Sequence, residues 1–307
     1  MPSAELNVVT GAYSFTGKYI ARRLLALGRR VSTLTGHPHR EHPFGDRVRA
    51  FPFNFEDPPA LAASLAGATT LYNTYWIRFE HGATTFERTL ARTEALLQAA
   101  RQAGVGRIVH ISIINADQDS PYPYFRAKGR AEQLVREAGL PCTILRPTVL
   151  FGSEGILFNN IAWLLRKLPV FAIPGAGDYR LQPVHVDDVA RLAVQARPQQ
   201  SGPTIDVAGP EILTFRSLVE LIAEAIGSHP RLLRMRPQRA FQLSGLLGGL
   251  VSDTLLTCDE IAGLMDNLLV SSAPPLGRTL FSSWLQQHAD SLGRTYFSEL
   301  ERHFRRT

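Results

Sequence analysis

Hydrophobic and polar positions follow two rhythms in the first half of the chain. Leu6–Thr10, Arg30–Thr35, Val48–Phe55, Thr69–Asn73, Arg107–Ile111 and Cys142–Arg146 are short β-rich runs. Between them apolar residues recur three and four apart. Thr16–Gly28 carries the stripe Ile20, Leu24, Leu25 and Leu27, and Pro58–Leu65, Phe86–Ala103 and Tyr124–Ala138 repeat the pattern. The last two stop at Gly104 and Gly139. Strands separated by helices predict a parallel sheet covered on both faces, with right-handed crossovers.

Beyond Pro147 the rhythm loosens. A helix is expected near Ile156–Leu168, then a Pro/Gly-rich turn at Ile173–Asp178, a helix over Asp187–Ala196 and a strand over Thr204–Ala208. Leu213–Ile226 is amphipathic, with Thr214 suited to cap it. The last part looks mostly helical and lacks a further strand–helix–strand unit. The expected organisation is a nucleotide-binding domain over 1–210, with 150–185 partly serving the substrate side, and a mostly helical C-terminal part over 211–307.

The strongest chemical signal is Val8-Val9-Thr10-Gly11-Ala12-Tyr13-Ser14-Phe15-Thr16-Gly17. A strand that turns sharply into a helix aims free backbone N–H groups at a pyrophosphate. Gly11 permits the turn and Gly17 lets the helix approach closely, while Ser14 stands where a middle glycine is usual. Tyr13, Ser14, Phe15 and Thr16 are thereby cofactor-binding candidates. The whole reads as a Rossmann-type α/β fold, a doubly wound parallel sheet with a smaller, mostly helical substrate part.

NAD specificity calls for a carboxylate at the end of the second strand. That end reads Leu34-Thr35-Gly36-His37-Pro38-His39-Arg40, with no acid. His37 and Arg40 are suited to balance a 2′-phosphate, which favours NADP, with NAD as the alternative. Asn54 follows the third strand, where it can reach an adenine amino group. Asn73 and Thr74 end the fourth strand along the cofactor's path.

Tyr124 and Lys128 are four residues apart and share a helix face. A lysine beside a tyrosine lowers the phenol's pKa and can hold a ribose, and the tyrosine then exchanges a proton with a substrate oxygen. His110 lies in a strand and reads as a core histidine. Tyr72, Tyr75, Trp76 and Phe79 form an aromatic cluster that fits either an apolar substrate site or core packing.

These features together resemble an extended or atypical short-chain dehydrogenase/reductase. The resemblance extends to the epimerase/dehydratase-like proteins that include the nucleotide-binding accessory subunit of complex I and the NmrA-like regulators. The resemblance covers about residues 6–210. It rests on Thr10-Gly11…Gly17, Asn54, Tyr124-x-x-x-Lys128, Leu145-Arg146-Pro147-Thr148-Val149-Leu150-Phe151-Gly152 and Gln182-Pro183-Val184-His185-Val186-Asp187-Asp188-Val189-Ala190. It implies Tyr124 as general acid/base, Lys128 as its tuner and ribose anchor, and Pro147 and Thr148 beside the nicotinamide. Asn159, Asn160 and Trp163, with Tyr75, fall where such proteins build a substrate pocket. Asp187 and Asp188 are implied to be helix-capping or structural acids.

One position departs from the family. After the fifth strand a Ser-Ser pair is usual, its second member polarising the substrate oxygen. Here Ser112 matches the first and Ile113 occupies the second, so Ser112 is the candidate third catalytic residue. Two functions follow: an NAD(P)-dependent oxidoreductase or epimerase acting on an unidentified small molecule, or a non-catalytic NAD(P)H-binding accessory, assembly or redox-sensing protein.

Composition narrows the partners. Of 307 residues, 33 are Lys or Arg and 27 Asp or Glu, giving a formal net charge of +6 that is spread along the chain. No nucleic-acid module is visible. The cysteines Cys142 and Cys258 read as free thiols, and no metal-ligand spacing occurs. The N-terminus enters a strand at once and no apolar run approaches the ~20 residues that span a bilayer. A cytoplasmic location is therefore expected. The segment His229–Arg239 carries Arg231, Arg234, Arg236 and Arg239 ahead of the apolar run Ala240–Val251. It reads as a strand plus a packed helix, with peripheral membrane or protein-complex contact as the alternative.

Overall fold

The computed structural model of the chain describes residues 5–196, 202–251, 253 and 258–303. Two compact units emerge, Met1–Pro147 with Val186–Asp206, and Thr148–His185 with Val207–Arg306. The chain therefore leaves the first unit after Pro147 and re-enters it at Val186.

The first unit is built from β1 (Leu6–Thr10), α1 (Phe15–Ala26), β2 (Arg30–Thr35), β3 (Val48–Pro52), α2 (Pro58–Ala63), β4 (Ala68–Asn73), α3 (Phe86–Gln102), β5 (Arg107–Ile111), α4 (Pro123–Glu137) and β6 (Cys142–Pro147). Next come β7 (Val149–Phe151), α5 (Ile156–Lys167), β8 (Val170–Pro174), β9 (Arg180–Leu181) and β10 (Pro183–His185), which belong to the second unit. The return brings α6 (Val186–Gln195) and β11 (Thr204–Val207). The second unit then finishes with β12 (Leu213–Thr214), α7 (Phe215–Ala225), β13 (Arg231–Met235), α8 (Pro237–Val251), α9 (Cys258–Met265), α10 (Phe281–His288) and α11 (Glu299–His303).

The main sheet has seven strands in the order β11-β6-β5-β4-β1-β2-β3. The pairings β1–β2, β1–β4, β2–β3, β4–β5 and β5–β6 are all parallel. Strand order reverses at β1, so the crevice outside the carboxyl ends of β1 and β4 is the natural ligand position of such a sheet. Its inner strands are buried almost throughout, as a sheet covered on both faces requires. Val8, Leu34, Leu71, Ile108 and Ile144 meet Leu61, Leu96, Leu97 and Val135 of the helices in one apolar cluster.

Local signals act as anticipated, with one exception. Thr214 caps α7 through Ser217 N at 3.0 Å, and Thr85, which the sequence reading did not single out, caps α3 through Arg88 N at 3.1 Å. Gly104 and Gly139, at φ 70° and 71°, end α3 and α4 in the left-handed region that glycine tolerates. The exception is β3, expected to run to Phe55, which stops at Pro52. Asn54 adopts φ 34° and turns the chain there. Asp187, at the start of α6, takes both bonds of a fork from Arg23 of α1, at 2.7 and 2.5 Å. Asp188 of the same turn pairs with Arg191 at 3.3 Å. Both acids thus have structural bonds.

In the second unit, β13 lies parallel to β8 and α8 follows it. Phe151, Phe158, Phe281 and Trp284 form its aromatic centre, with Leu218, Val219 and Ile222 of α7 beneath. No helix among the described residues is long and apolar enough to cross a membrane. Cys142 is a buried free thiol, and the Cys258 side chain is outside the described atoms.

Candidate functional site

The turn after β1 is held from below. Gly11 N donates to Leu34 O at 2.7 Å, and Thr33 Oγ1 accepts from Ala12 N at 2.9 Å while donating to Val9 O at 2.7 Å. Gly11 sits at φ 65°. A Cβ on Gly17 would come within 2.2 Å of the Gly11 carbonyl oxygen. Close approach to the turn, more than to the sheet, is therefore what excludes a side chain at Gly17.

Ser14 is the N-cap of α1 but makes no capping bond to it, and its Oγ donates back to Gly11 O at 2.6 Å. The first N–H groups of a helix have no intrahelical acceptor. Here the serine leaves those of Phe15, Thr16 and Gly17 for an outside anion, and no acid lies in the first turn. The cradle thus fits a pyrophosphate, and Ser14 tightens the turn.

The neighbouring residues divide into walls and braces. Tyr13 stacks on His42, ring centres 4.0 Å apart and planes 10° apart, a partner that spacing alone did not reveal. His37 is half-buried and Arg40 exposed, joined by an Arg40 N to His37 O bond of 3.2 Å. Asn54 is exposed just beyond β3. Asn73 is fully buried: its Oδ1 accepts from Thr10 Oγ1 and Tyr75 N, and its amide faces His110 Nδ1 at 3.2 Å. Asn73 joins the ends of β1, β4 and β5 as a brace. Thr74 accepts nothing new from outside the strands either; its N and Oγ1 are both bonded to Thr10. Its Oγ1 nevertheless lies 3.7 Å from where a Gly11 Cβ would be, so it lines the turn.

Tyr75 packs on Phe53 and Phe55 at 5.0 and 5.3 Å. Burial raises its phenol pKa, and a hydrogen bond with Arg92 works against that shift. Tyr72 and Phe79 of the same cluster are simply core, 3% and 6% exposed.

Two of the catalytic candidates, Lys128 and Tyr124, converge on Trp76. Lys128 is 4% exposed, its Nζ 4.4 Å from the centre of the indole and 3.2 Å from Ile111 O. Tyr124, one turn earlier on α4, meets the indole edge-on with ring centres 6.5 Å apart, and Phe86 stacks on it at 6.3 Å. Burial pushes the Lys128 ammonium down to about 7, with the Glu132 carboxylate pulling the other way. Ser112 stands directly after Ile111. Its N donates to Leu145 O at 2.7 Å, and its buried Oγ has no hydrogen-bond partner among the described residues. A buried hydroxyl left without a partner is costly, so this position suits a ligand oxygen. His110 is fully buried, its pKa pushed down to about 3 chiefly by burial, as befits a neutral core histidine.

The Arg146-Pro147 strand end is anchored from the side. Arg146 forks onto Glu132 with two bonds of 2.7 Å and reaches Ala116 O at 2.8 Å, while Pro147 O accepts from Ile114 N at 2.9 Å. These bonds fix the segment that carries Ser112.

In the second unit, three of the residues expected beside the nicotinamide or substrate make hydrogen bonds within the fold. Thr148 donates its hydroxyl to Gln182 O. Asn159 is bonded to Thr295 O at 2.8 Å and Gly293 N at 3.0 Å, and Asn160 to Phe297 O at 2.9 Å and Phe297 N at 3.0 Å. Most of the amide donors and acceptors of this pair are thus engaged in fastening residues 293–297 to α5. Trp163 packs on Tyr296 at 5.2 Å as part of the same seam. Among the described residues no group of His, Cys, Asp and Glu could hold a metal ion.

Residues 11–161 match the protein family described as NAD(P)H-binding. The chain is similar to the mitochondrial NADH dehydrogenase [ubiquinone] 1 alpha subcomplex subunit 9 of Arabidopsis thaliana, 28% identical over 289 residues, covering 88% of this chain and 72% of that protein. It also resembles the NAD(P)H azoreductase of Xenophilus azovorans, 27% identical over 212 residues, covering 65% of this chain and 71% of that one. Among solved structures, triphenylmethane reductase from Citrobacter sp. superposes with a TM-score of 0.77 at 16% identity, over 92% of this chain and 99% of that one.

Proposed function

We propose, from the premise that this chain is an extended short-chain dehydrogenase/reductase-like protein with an NAD(P)H-binding domain over residues 11–161, that it is a reductase using NADPH in preference to NADH. The observation that carries the reading is the buried, unpartnered Ser112 Oγ beside the Tyr124–Lys128 turn. The likeness to an NAD(P)H azoreductase supports the same class.

The dinucleotide supplies hydride when bound. The chain's own part is positioning and proton handling. The N–H groups at the start of α1 would hold the pyrophosphate, and the acid-free loop with His37 and Arg40 would take the 2′-phosphate. Asn54 would meet the adenine edge. Ser112 donates its hydroxyl hydrogen to the substrate oxygen, and Tyr124 transfers a proton to that same oxygen as it gains charge. Lys128 has three N–H donors, one of them given to Ile111 O. Its remaining donors would hold the ribose, and its charge would stabilise the tyrosinate that proton transfer leaves.

A titration of the purified chain with NADPH and NADH tests the binding half. Loss of dihydronicotinamide absorbance with quinones, azo dyes, ketones and nucleotide sugars tests turnover. The expected result is turnover that Tyr124→Phe abolishes while NADPH affinity holds.

A second reading is favoured by Ile113, which occupies the place of the family's second serine, and by the likeness to a complex I subunit. In it the chain holds NAD(P)H as a structural or sensing ligand of an assembly. NADPH binding without turnover on any of those substrates decides for it.

A further inference from the structure

The segment after α7 has an unusual composition for an exposed surface. Between Glu224 and Asp253 there is no acidic residue, while Arg231, Arg234, Arg236 and Arg239 all fall within nine positions. All four are exposed, and none forms an ion pair among the described residues. Surface arginines usually find a carboxylate nearby; here the fold supplies none on this stretch.

Apolar side chains are interleaved with these charges. In the parallel pair of β8 and β13, Arg231 sits opposite Val170 and Leu233 opposite Ala172. Paired residues project to the same face, so Val170, Arg231 and Leu233 share the outward one. Leu232, pointing the other way, packs with the core of the second unit. Val170 is 39% exposed, Leu233 49% and Phe241, on the first turns of α8, 37%. Past Arg239 the sequence of α8 has no charge through Val251. The inward side of α8 starts with Ala240, 7% exposed, so the helix is anchored and Phe241 turns outward.

We propose that this face, β13 with the start of α8, docks on the surface of an anionic phospholipid bilayer. Arg231 on this face, with Arg236 and Arg239 at the start of α8, presents guanidinium groups that match headgroup phosphates, for which a planar fork is well shaped, while Arg234 leaves β13 on the side of Leu232. Leu233, Phe241 and Val170 enter the headgroup–acyl boundary, as the apolar side of an interfacial element does. A nucleic-acid backbone would satisfy the arginines and leave the apolar trio wet. An acidic protein would leave the same residues without the hydrocarbon they reach at a bilayer. The contact is peripheral and is independent of the cofactor reading.

Co-sedimentation of the full chain with phosphatidylcholine vesicles, with and without phosphatidylglycerol, tests this. Binding is expected only with the anionic lipid and weakens with added salt. Changing Arg231, Arg236 and Arg239 to Gln lowers partitioning about fivefold per residue removed, since each basic side chain near such a surface contributes about that much. Leu233→Ser with Phe241→Ser, with all charges kept, lowers it as well. A Phe241→Trp variant reports insertion through a blue-shifted emission that brominated lipid quenches. Thermal melts of each variant confirm that the fold is retained. Equal binding to neutral and anionic vesicles, emission from the Phe241→Trp variant that brominated lipid leaves unquenched, or binding to heparin and an acidic protein but not to vesicles each overturns the proposal.

Discussion

The Lys128 ammonium rests 4.4 Å from the centre of the Trp76 ring and donates to the carbonyl of Ile111 at 3.2 Å, so the residue that follows, Ser112, is tied to the same turn of α4 as Tyr124. Burial lowers this lysine to about 7 against an ordinary 10.5. A lysine whose value is lower in the folded than in the unfolded chain gives up its proton on folding. Stability then rises with pH between about 7 and 10.5. In the cofactor-free protein, Lys128→Met is expected to be more stable than the parent at pH 6 by about 1–3 kcal/mol. The difference shrinks toward pH 10, as measured by urea unfolding; a constant difference would falsify this account.

His110 gives the matching behaviour on the acid side. Its value is about 3, lowered first by burial and then by the Lys128 and Arg136 charges. Stability is present above its ordinary value of 6.5 and is lost as pH falls from there toward 3. His110→Gln, which keeps an acceptor for the Asn73 amide, should flatten the acid limb of the unfolding curve. An unchanged limb would show that other groups dominate it.

Gly17→Ala places a methyl 2.2 Å from the Gly11 carbonyl oxygen, a backbone atom that cannot step aside. The expected cost is about 2–3 kcal/mol of stability, together with at least a tenfold loss of NADPH affinity as the turn opens. Gly36→Ala, with no atom within 4 Å of its added carbon, serves as the comparison for stability. Calorimetric titration and thermal melts read both.

Arg40→Gln removes the exposed cation assigned to the 2′-phosphate. Charge-assisted hydrogen bonds contribute about 1.5–3 kcal/mol, so NADPH affinity should fall about tenfold or more while NADH affinity stays put. Equal losses for the two cofactors would place Arg40 elsewhere on the dinucleotide.

Asn160→Ala deletes two bonds to Phe297 from a side chain that is 8% exposed. A loss of about 1–3 kcal/mol is expected, seen first as faster proteolysis near residues 293–297. Loss of substrate turnover with an intact seam would instead restore Asn160 to a substrate pocket.

Much of the fold was legible because each of its signals is local. Alternating runs and three-four spacing located β1, β2, β5 and α3 almost to the residue, and Gly11 with Gly17 marked the cofactor turn. Thr214 capping α7 and Gly139 ending α4 are likewise decided within a few residues. Charge made the acid-free end of β2 readable for the same reason, since the cue lies within one loop.

What the sequence by itself determined, then, is the strand–turn–helix cradle, the parallel α/β class and the Tyr124–Lys128 pair on one helix face. Tertiary structure decided what each polar side chain does. Asn73, Thr148, Asn159 and Asn160 look like ligand contacts as letters, yet each meets backbone or side-chain atoms, as far as 137 positions away, that claim its hydrogen bonds. Trp76 and Glu132 gained their roles the same way, one under the Lys128 ammonium and the other fastening Arg146 to α4. Spacing fixes which face of an element a residue occupies. Only the packed chain fixes whether a buried donor, such as the Ser112 hydroxyl, is satisfied within it or left for a ligand.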